Sequence, residues 1–244
     1  MRIAVIADIH GNDVALQVVL AHAAGRAVDS YVCLGDVAAT GPFPVETIER
    51  VAALGCPVVM GNADEILLGD EEQETDDDFI ARILEIDMWC AAALSDAHRA
   101  HIRRYSPTVS LVDGALLAFH GTPASYDEKI ELDAPEEFLA SALDRGARVY
   151  CGGHWHFQNL RRFADRFYVN PGSVGMSYNQ TSGDALLVPL ADYAIVTMDE
   201  AEFGGADFYR LPYDPAPLFD AARERDMPQL EWWLGLWSTQ RSSS

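Results

Sequence analysis

The sequence predicts an α/β fold in which two β-sheets pack face to face with helices on their outer sides. In the first third of the chain, short apolar runs alternate with helical segments, which is typical of parallel strands joined by right-handed crossovers. In the second half, apolar runs are separated by tight turns, which is typical of hairpins. The chain has 244 residues, of which 49% are hydrophobic, enough to bury a core of this kind.

The first five predicted elements form a βαβαβ run. Their strands are nearly continuous apolar runs, as expected for strands buried on both faces. The first helix begins after Asn12 and Asp13, which can cap it, and stops at Gly25. The second helix covers 44–54 and is followed by Gly55. The three predicted strands cover 2–8, 30–36 and 56–62.

The middle of the chain has a different composition. Residues 70–78 form an acidic run that we interpret as a solvated loop, since its contiguous carboxylates lack the spacing and the glycine of a calcium loop. Residues 79–105 are predicted to be helical.

The second half returns to strands. Asp113-Gly114 between two apolar runs predicts a hairpin, and a helix over 133–145 starts near Pro135 and stops at Gly146. The tail from Pro215 is predicted to be helical. The later predicted strands cover 148–152, 159–163, 166–169, 194–198 and 208–211.

The charge of the chain limits its partners. There are 38 acidic residues against 17 basic ones, a net charge of −21, and Lys129 is the only lysine. Such a surface repels polyanions, so long nucleic acid is an unlikely partner. No apolar run approaches the roughly 18–20 residues of a membrane helix, and the first strand starts at Arg2, which leaves no room for a signal peptide. We therefore expect a cytoplasmic protein without membrane contact, in which Cys33, Cys56, Cys90 and Cys151 are free thiols.

Side chains of metal-ligating type follow several of the predicted strands. Groups at the carboxyl ends of strands in an open α/β sheet share one crevice. Carboxylate, amide oxygen and imidazole together suit divalent ions such as Mn, Fe, Zn, Ni or Co. The candidate ligands are Asp8, His10, Asp36, Asn62, His120, His154 and His156.

The motifs around these residues resemble those of the calcineurin-like metallophosphoesterase superfamily, in particular its small bacterial phosphodiesterase branch. The resemblance covers about residues 2–198. It implies a four-layer α-β-β-α sandwich of two mixed β-sheets flanked by helices. We expect a single domain over 1–244, with a helical insert near 65–107 and a C-terminal helical tail near 213–244. The motifs are ADIHGN (7–12), CLGD (33–36), FHGTP (119–123), GGHWH (152–156) and NPGSVG (170–175).

The resemblance also implies a centre of two divalent metals, of which manganese is the expected one and Fe, Zn, Ni or Co are alternatives. Asp36 would bridge the metals, and a hydroxide between them would attack the phosphorus. Asn12 and Gly121 would either contact the phosphate or order their loop. By the family pattern, one metal takes Asp8, His10, Asp36 and His156, and the other takes Asp36, Asn62, His120 and His154.

One position departs from the family pattern. Many relatives have a histidine after the GN of the third strand, where this chain has Ala63, and alanine cannot protonate a leaving group. Asp64 could replace that histidine, or could hydrogen-bond a ligand histidine from behind; we prefer the second interpretation. His98 and His101, three residues apart on a predicted helix, are either surface residues or donors that reach the site.

The leading functional hypothesis is a hydrolase of phosphate diesters with small substrates. The alternatives are a phosphomonoesterase or dinucleotide polyphosphatase acting on nucleotides, and a non-catalytic interaction module. The last would be expected to have lost metal ligands, whereas all seven are present. In the tail, Trp232, Trp233 and Trp237 predict packing onto the body, a homo-oligomer contact or a lid that stacks on substrate.

Overall fold

The structure is a computed structural model that describes residues 1–69, 75–179 and 185–238. The described strands are β1 (Arg2–Ile6), β2 (Ser30–Cys33), β3 (Val109–Leu111), β4 (Leu116–Ala118), β5 (Val149–Cys151), β6 (Gln158–Phe163), β7 (Arg166–Pro171), β8 (Leu190–Asp199) and β9 (Glu202–Pro212). The described helices are α1 (Asp13–Ala24), α2 (Pro44–Leu54), α3 (Asn62–Leu68), α4 (Asp78–Ala92), α5 (Asp96–Ile102), α6 (Glu136–Ala142), α7 (Ala216–Glu224) and α8 (Leu230–Gly235).

The strands form two mixed sheets. The first has the order β2-β1-β8-β9, with β1 parallel to β2 and antiparallel to β8. The second has the order β3-β4-β5-β7-β6, with β4, β5 and β7 parallel and an antiparallel strand at each edge. The predicted hairpin at Asp113-Gly114 joins β3 to β4 through a 3₁₀ turn, Val112–Gly114, in which Asp113 has φ of 50°.

Alternation along the strands assigns each residue to a layer. Ile3 and Val5 of β1 pack between the two sheets, against Val149 and Val169 of the second sheet. Ala4 and Ile6 face the opposite way, into a core shared with α1 and α2. The outer face of the second sheet packs on α6, with Tyr150 and Tyr168 against Leu139. The arrangement is therefore the expected four-layer α-β-β-α sandwich.

The helix ends follow the local chemistry that the sequence contains. The Oδ1 of Asn12 accepts a hydrogen bond from the Ala15 N–H at 3.0 Å and so caps α1. Helix α2 begins at Pro44 and ends before Gly55, which has φ of 62°, a conformation that glycine adopts without strain.

Two predictions for the middle of the chain are wrong in detail. The predicted strand over 56–62 is reduced to bridges at Val58 and Val59, because Asn62 already begins α3. The helix predicted over 79–105 is two helices, since α4 ends at Ala92 and the Ser95 side chain caps α5 by accepting from the His98 N–H.

Part of the acidic run, residues 70–74, lies outside the described residues. Its last part begins a helix, because Asp77 accepts hydrogen bonds from the N–H groups of Phe79 and Ile80 and caps α4. Strands β8 and β9 extend beyond the predicted segments at both ends.

In the tail, α7 and α8 pack on the body, and residues 239–244 lie outside the described part. Trp233 and Trp237 are buried, and the Trp233 indole N–H donates to the Thr40 carbonyl at 3.1 Å. Trp232 is half-buried, with its ring 5.2 Å from that of Phe79. Trp233 and Trp237 therefore pack within the chain, as one of the three interpretations of the tail predicts.

All four cysteines are free, as expected. Of the described helices, none is long and apolar enough to cross a membrane.

Candidate metal centre

The candidate ligands lie where the parallel strands of the two sheets end. Asp8 and His10 follow β1, and Asp36 follows β2. His120 follows β4, and the GHWH segment with His154 and His156 follows β5. Asn62 is the first residue of α3. Because each sheet contributes a parallel pair whose carboxyl ends point the same way, the structure brings all seven side chains of the prediction to one edge of the sandwich.

The backbone at this edge is unusual. Asp8, His10, Asp36, His154 and His156 all have positive φ, between 48° and 64°. Residues with a side chain seldom adopt this left-handed conformation, although Asp, Asn and His tolerate it best, and it concentrates at functional sites. Each sharp turn aims its side chain off the end of a strand and into the space between the sheets.

One cluster contains Asp8, His10 and His156, whose candidate ligand atoms lie within 4.8 Å of one another. The Nε2 atoms of His10 and His156 are 3.2 Å apart. The His156 Nε2 is also 3.4 Å from Asp8 Oδ1. Asp8 is fixed by the His154 backbone N–H, which donates to its two oxygens at 3.2 and 3.1 Å.

The other cluster contains Asp36, His120 and His154, again with ligand atoms within 4.8 Å. Asn62 belongs to it by position, since its Oδ1 is 3.1 Å from His120 Nε2. Asp36 Oδ2 lies 3.3 Å from His120 Nε2 and 3.7 Å from His10 Nε2. One carboxylate oxygen therefore faces both clusters.

The protons on these rings are set by neighbouring carbonyls. His120 Nδ1 donates to the Leu34 carbonyl at 2.7 Å, and His156 Nδ1 donates to the Met176 carbonyl at 3.0 Å. His154 donates instead from Nε2, to the Asp127 carbonyl at 3.1 Å. In its neutral form each ring keeps a lone pair on its other nitrogen, and for His120 and His156 that nitrogen faces a carboxylate.

The donor set fits two divalent metals. The imidazole nitrogens and carboxylate oxygens of each cluster converge within 4.8 Å, and a divalent cation there would take the place of the protons that the carboxylates favour on His120 and His156. The His10 Nδ1 is buried and has no hydrogen-bond partner among the described residues. Nitrogen and oxygen donors in this mixture are those of borderline divalent ions.

The electrostatics show how strongly the two halves of the site interact. Burial lowers the pKa of His10 to about 4. Burial also disfavours charge on His120, but the carboxylates of Asp36 and Asp8 outweigh it and raise the pKa of His120 to about 10. For Asp36, burial opposes the charged form, yet His120 and His10 prevail and hold its pKa below the usual range. The carboxylates are thus held as anions, ready to act as ligands.

Close backbone approaches hold these loops in place. A Cβ on Gly61 would clash with the Asp36 carboxylate, and a Cβ on Gly175 would clash with the Ile9 carbonyl. From the NPGSVG segment, Ser173 Oγ donates to the Asp8 carbonyl at 2.7 Å. The NPGSVG segment therefore supports the loop that carries Asp8 and His10.

Asp64 is a positioning residue in this structure. Its fully buried carboxylate accepts from the backbone N–H groups of Asp36, Val37 and Gly61 at 2.8, 2.9 and 3.1 Å. Its partners are therefore backbone groups of the Asp36 loop rather than the expected ligand histidine. Burial, and then the charge of Asp36, raise the pKa of Asp64 to about 7. Ala63 supports the same loop, because its N–H donates to Asp36 Oδ1 at 2.9 Å.

The other sequence candidates lie away from the cavity beside the clusters. His98 Nδ1 accepts from the Ser95 N–H, and His98 Nε2 is 3.6 Å from Glu49. His101 Nδ1 contacts Arg104 at 2.8 Å. Both histidines therefore fit the surface interpretation rather than that of donors to the site.

Asn12 and Gly121 order their loops. The Asn12 Nδ2 donates to the Gly175 carbonyl at 3.0 Å and to the Tyr213 hydroxyl at 2.9 Å. A Cβ on Gly121 would clash with backbone carbonyls of residues 125–128.

A cavity of about 360 Å³ opens beside the two clusters. Several of the residues that line this cavity are not among the site candidates that the sequence motifs indicate. Lys129 is the only lysine or arginine among the described lining residues, and its ammonium lies 5.3 Å from the centre of the Trp155 ring. Asp87 of α4 is fully buried in the wall, where its Oδ1 accepts from the Thr40 hydroxyl at 2.8 Å. Because Lys129 is the only lysine of an acidic chain, the sequence already contained a signal that could have indicated it as a site residue.

The sandwich and its dinuclear donor set define a metallophosphoesterase architecture. The chain belongs to the calcineurin-like phosphoesterase superfamily, whose domain model matches residues 1–193. This family acts on phosphoester bonds, so the chain is a hydrolase by class.

Individual relatives span nearly the whole chain. The uncharacterized protein MJ0912 of Methanocaldococcus jannaschii is 25% identical over 248 residues, covering 96% of this chain and 95% of its own. A metallophosphoesterase from Sphaerobacter thermophilus is 26% identical with a TM-score of 0.76, covering 97% of this chain and 98% of its own. The hypothetical protein PH1004 from Pyrococcus horikoshii, at 19% identity, shares the fold with a TM-score of 0.80 and 97% coverage of both chains.

Proposed function

We propose that the protein is a phosphodiesterase that requires two divalent metals, manganese in the first instance. The observation that carries this proposal is the position of Asp36 Oδ2, 3.3 Å from one imidazole nitrogen and 3.7 Å from another in the neighbouring cluster. In the proposed assignment, Asp36 is shared. One site uses Asp8, His10, Asp36 and His156, and the other uses Asp36, Asn62, His120 and His154.

Metals bound by these residues would supply Lewis-acid polarisation of a phosphoryl oxygen and a lowered pKa for a bound water. The residues of the chain hold and orient the ligands. His120 and His156 keep their Nε2 lone pairs directed inward because their Nδ1 protons are engaged by carbonyls. Asn62 offers a neutral oxygen, so its cluster carries less negative charge than one built with another carboxylate.

The preference for diesters rests on two features of the cavity. Ala63 occupies the position where many relatives have a histidine, so this position supplies no proton to a basic leaving group. Among the described lining residues, Lys129 is the only lysine or arginine, whereas Asp36, Glu65, Asp87 and Asp127 are acidic. A monoanionic diester suits that balance of charge better than a dianionic monoester.

The test is turnover by protein stripped of metal with a chelator and then supplied with Mn²⁺. We expect bis(p-nitrophenyl) phosphate to be hydrolysed faster than p-nitrophenyl phosphate, and activity to require the added ion. Asp36→Asn keeps the size of the side chain but removes its charge, and should lower activity by more than about 100-fold, since even groups behind a metal ligand typically contribute 10–100-fold. The exposed Asp199→Asn is the matched control.

The outcomes separate the alternatives. Faster hydrolysis of the monoester than of the diester would assign the chain as a phosphomonoesterase. No metal-stimulated turnover of either ester, with no metal retained, would favour an interaction module. Wild-type activity in Asp36→Asn would refute the proposed metal assignment.

A further inference from the structure

One face of α4 lines the cavity beside the candidate metal centre. The lining residues Ile80, Ile83, Leu84 and Asp87 follow the spacing i, i+3, i+4, i+7, which defines a single stripe of a helix. Farther along the same helix, Ile86, Cys90 and Ala91 are buried in the core. The C-terminal part of α4 is therefore covered by the protein core, whereas its N-terminal part presents apolar side chains to the cavity.

The apolar side chains that α4 presents to the cavity remain partly accessible to solvent. Ile80 is 43% exposed, and Ile83 and Leu84 are half-buried. Ile66 of α3 extends the same surface. We call these four residues the isoleucine wall. A wall of this composition next to a few convergent polar groups is typical of a small-molecule pocket.

The cavity combines polar groups with an apolar surface. Its volume of about 360 Å³ is suited to a small molecule. Five of the candidate ligands and Lys129 line the same cavity as the isoleucine wall, so polar groups that could hold a phosphate and an apolar surface share one space. A phosphate ester with a hydrophobic ester group matches both the polar groups and the apolar surface.

We propose that the isoleucine wall binds an apolar ester group of the substrate, aryl or branched alkyl, while the phosphate lies at the candidate metal centre. The proposal rests on the proposed phosphoesterase function and adds the class of substrate to it. Specificity then comes from a surface on α3 and α4 that is separate from the metal ligands themselves.

The test compares the binding of two unreactive probes, phenylphosphonate and methylphosphonate, by calorimetry on the Mn²⁺-loaded protein. The probes share the anionic group and differ in apolar surface. We expect phenylphosphonate to bind the wild type about 10-fold more tightly, the order of effect of burying one face of a ring. Ile83→Ser should reduce this ratio to near 1 without weakening the binding of methylphosphonate.

Two further variants control for folding and for position on the helix. Ile80→Ser changes a side chain that is already 43% exposed, so it leaves the core intact while it makes the wall polar. Met88→Ser removes another exposed apolar side chain of the same helix, 56% exposed, that is outside the cavity lining. Ile80→Ser should lower the phosphonate ratio, and Met88→Ser should not.

A ratio near 1 in the wild type, or one that both wall variants leave unchanged, would overturn the inference. The inference would also be overturned if the wild type is a dimer that dissociates in Ile80→Ser while the binding ratio stays the same, because the wall would then be a contact with a second copy of the chain. The measurement is independent of turnover. A preference for phenylphosphonate without any hydrolysis would refute the proposed function but support binding of an apolar group at the isoleucine wall. Hydrolysis with a binding ratio near 1 would support the proposed function and refute the inference about the wall.

Discussion

Replacing Asp64 by alanine removes the acceptor on which three buried N–H groups depend. The carboxylate binds the backbone of Asp36, Val37 and Gly61, and so ties the loop after β2 to the start of α3. Asp64 itself is fully buried, so its truncation leaves these three donors facing a small cavity in place of a carboxylate. The perturbation therefore acts on the loop that aims Asp36.

The size of the effect follows from those three contacts. A buried donor left without a partner costs about 1–3 kcal/mol, and three that share one acceptor are not fully additive, so the total is roughly 3–5 kcal/mol of unfolding free energy. We expect this loss in urea denaturation of metal-free Asp64→Ala. Affinity for Mn²⁺ should also fall by about 10–100-fold, because the mutation releases the loop behind a candidate ligand.

Two comparisons decide whether the reasoning holds. The exposed Asp133→Ala should leave both quantities unchanged. Asp64→Asn retains one oxygen acceptor and should lose only part of the stability. A loss below about 1 kcal/mol in Asp64→Ala would refute the positioning role. Normal Mn²⁺ affinity combined with a steeper dependence of rate on leaving-group pKa would instead make Asp64 the proton donor.

Three further predictions concern charge. Burial raises the pKa of Asp87 to about 7 from an ordinary value of 3.8, so the folded state binds the extra proton and stability falls as pH rises from about 4 to 7. Metal-free Asp87→Asn lacks this loss, so its unfolding free energy minus that of the wild type should be roughly 2 kcal/mol higher at pH 8 than at pH 5, which means a relatively more stable variant at pH 8; an equal difference at both pH values would contradict this. Lys129→Gln should raise the KM for an anionic ester several-fold at low salt with little change in kcat, and a fall in kcat alone would exclude a binding role. The net charge of −21 predicts no salt-dependent binding of duplex DNA in a filter assay, and tight binding would contradict it.

Much of the fold could be predicted because strand and helix signals are local. The apolar runs 2–8 and 30–36 contain β1 and β2, and Pro44 and Gly55 bound α2 as expected. The third strand failed because its pairing is not local. Val59 bridges to Ser106, far along the chain, and nothing in residues 56–62 indicates how short that bridge is.

The gathering of the seven polar side chains was likewise predictable, since strand ends in parallel sheets converge. The role of Asp64 was not, because its partners are backbone groups that the sequence does not distinguish. The break between α4 and α5 at Ser95 and the surface that α4 turns to the cavity depend on tertiary packing. The helical spacing of Ile80, Ile83 and Leu84 is visible in the sequence, but only the structure shows that they line the cavity while Ile86, Cys90 and Ala91, farther along the helix, are buried in the core.

The position of Lys129 makes the chain unusually suitable for site-specific chemistry. It carries the only side-chain amine in the sequence, and it is exposed at the rim of the cavity. Among the side chains, an amine-reactive dye would therefore attach only at the mouth of the cavity, without any engineered cysteine. With the Trp155 ring 5.3 Å from the ammonium, such a label would report occupancy of the cavity through quenching of its fluorescence.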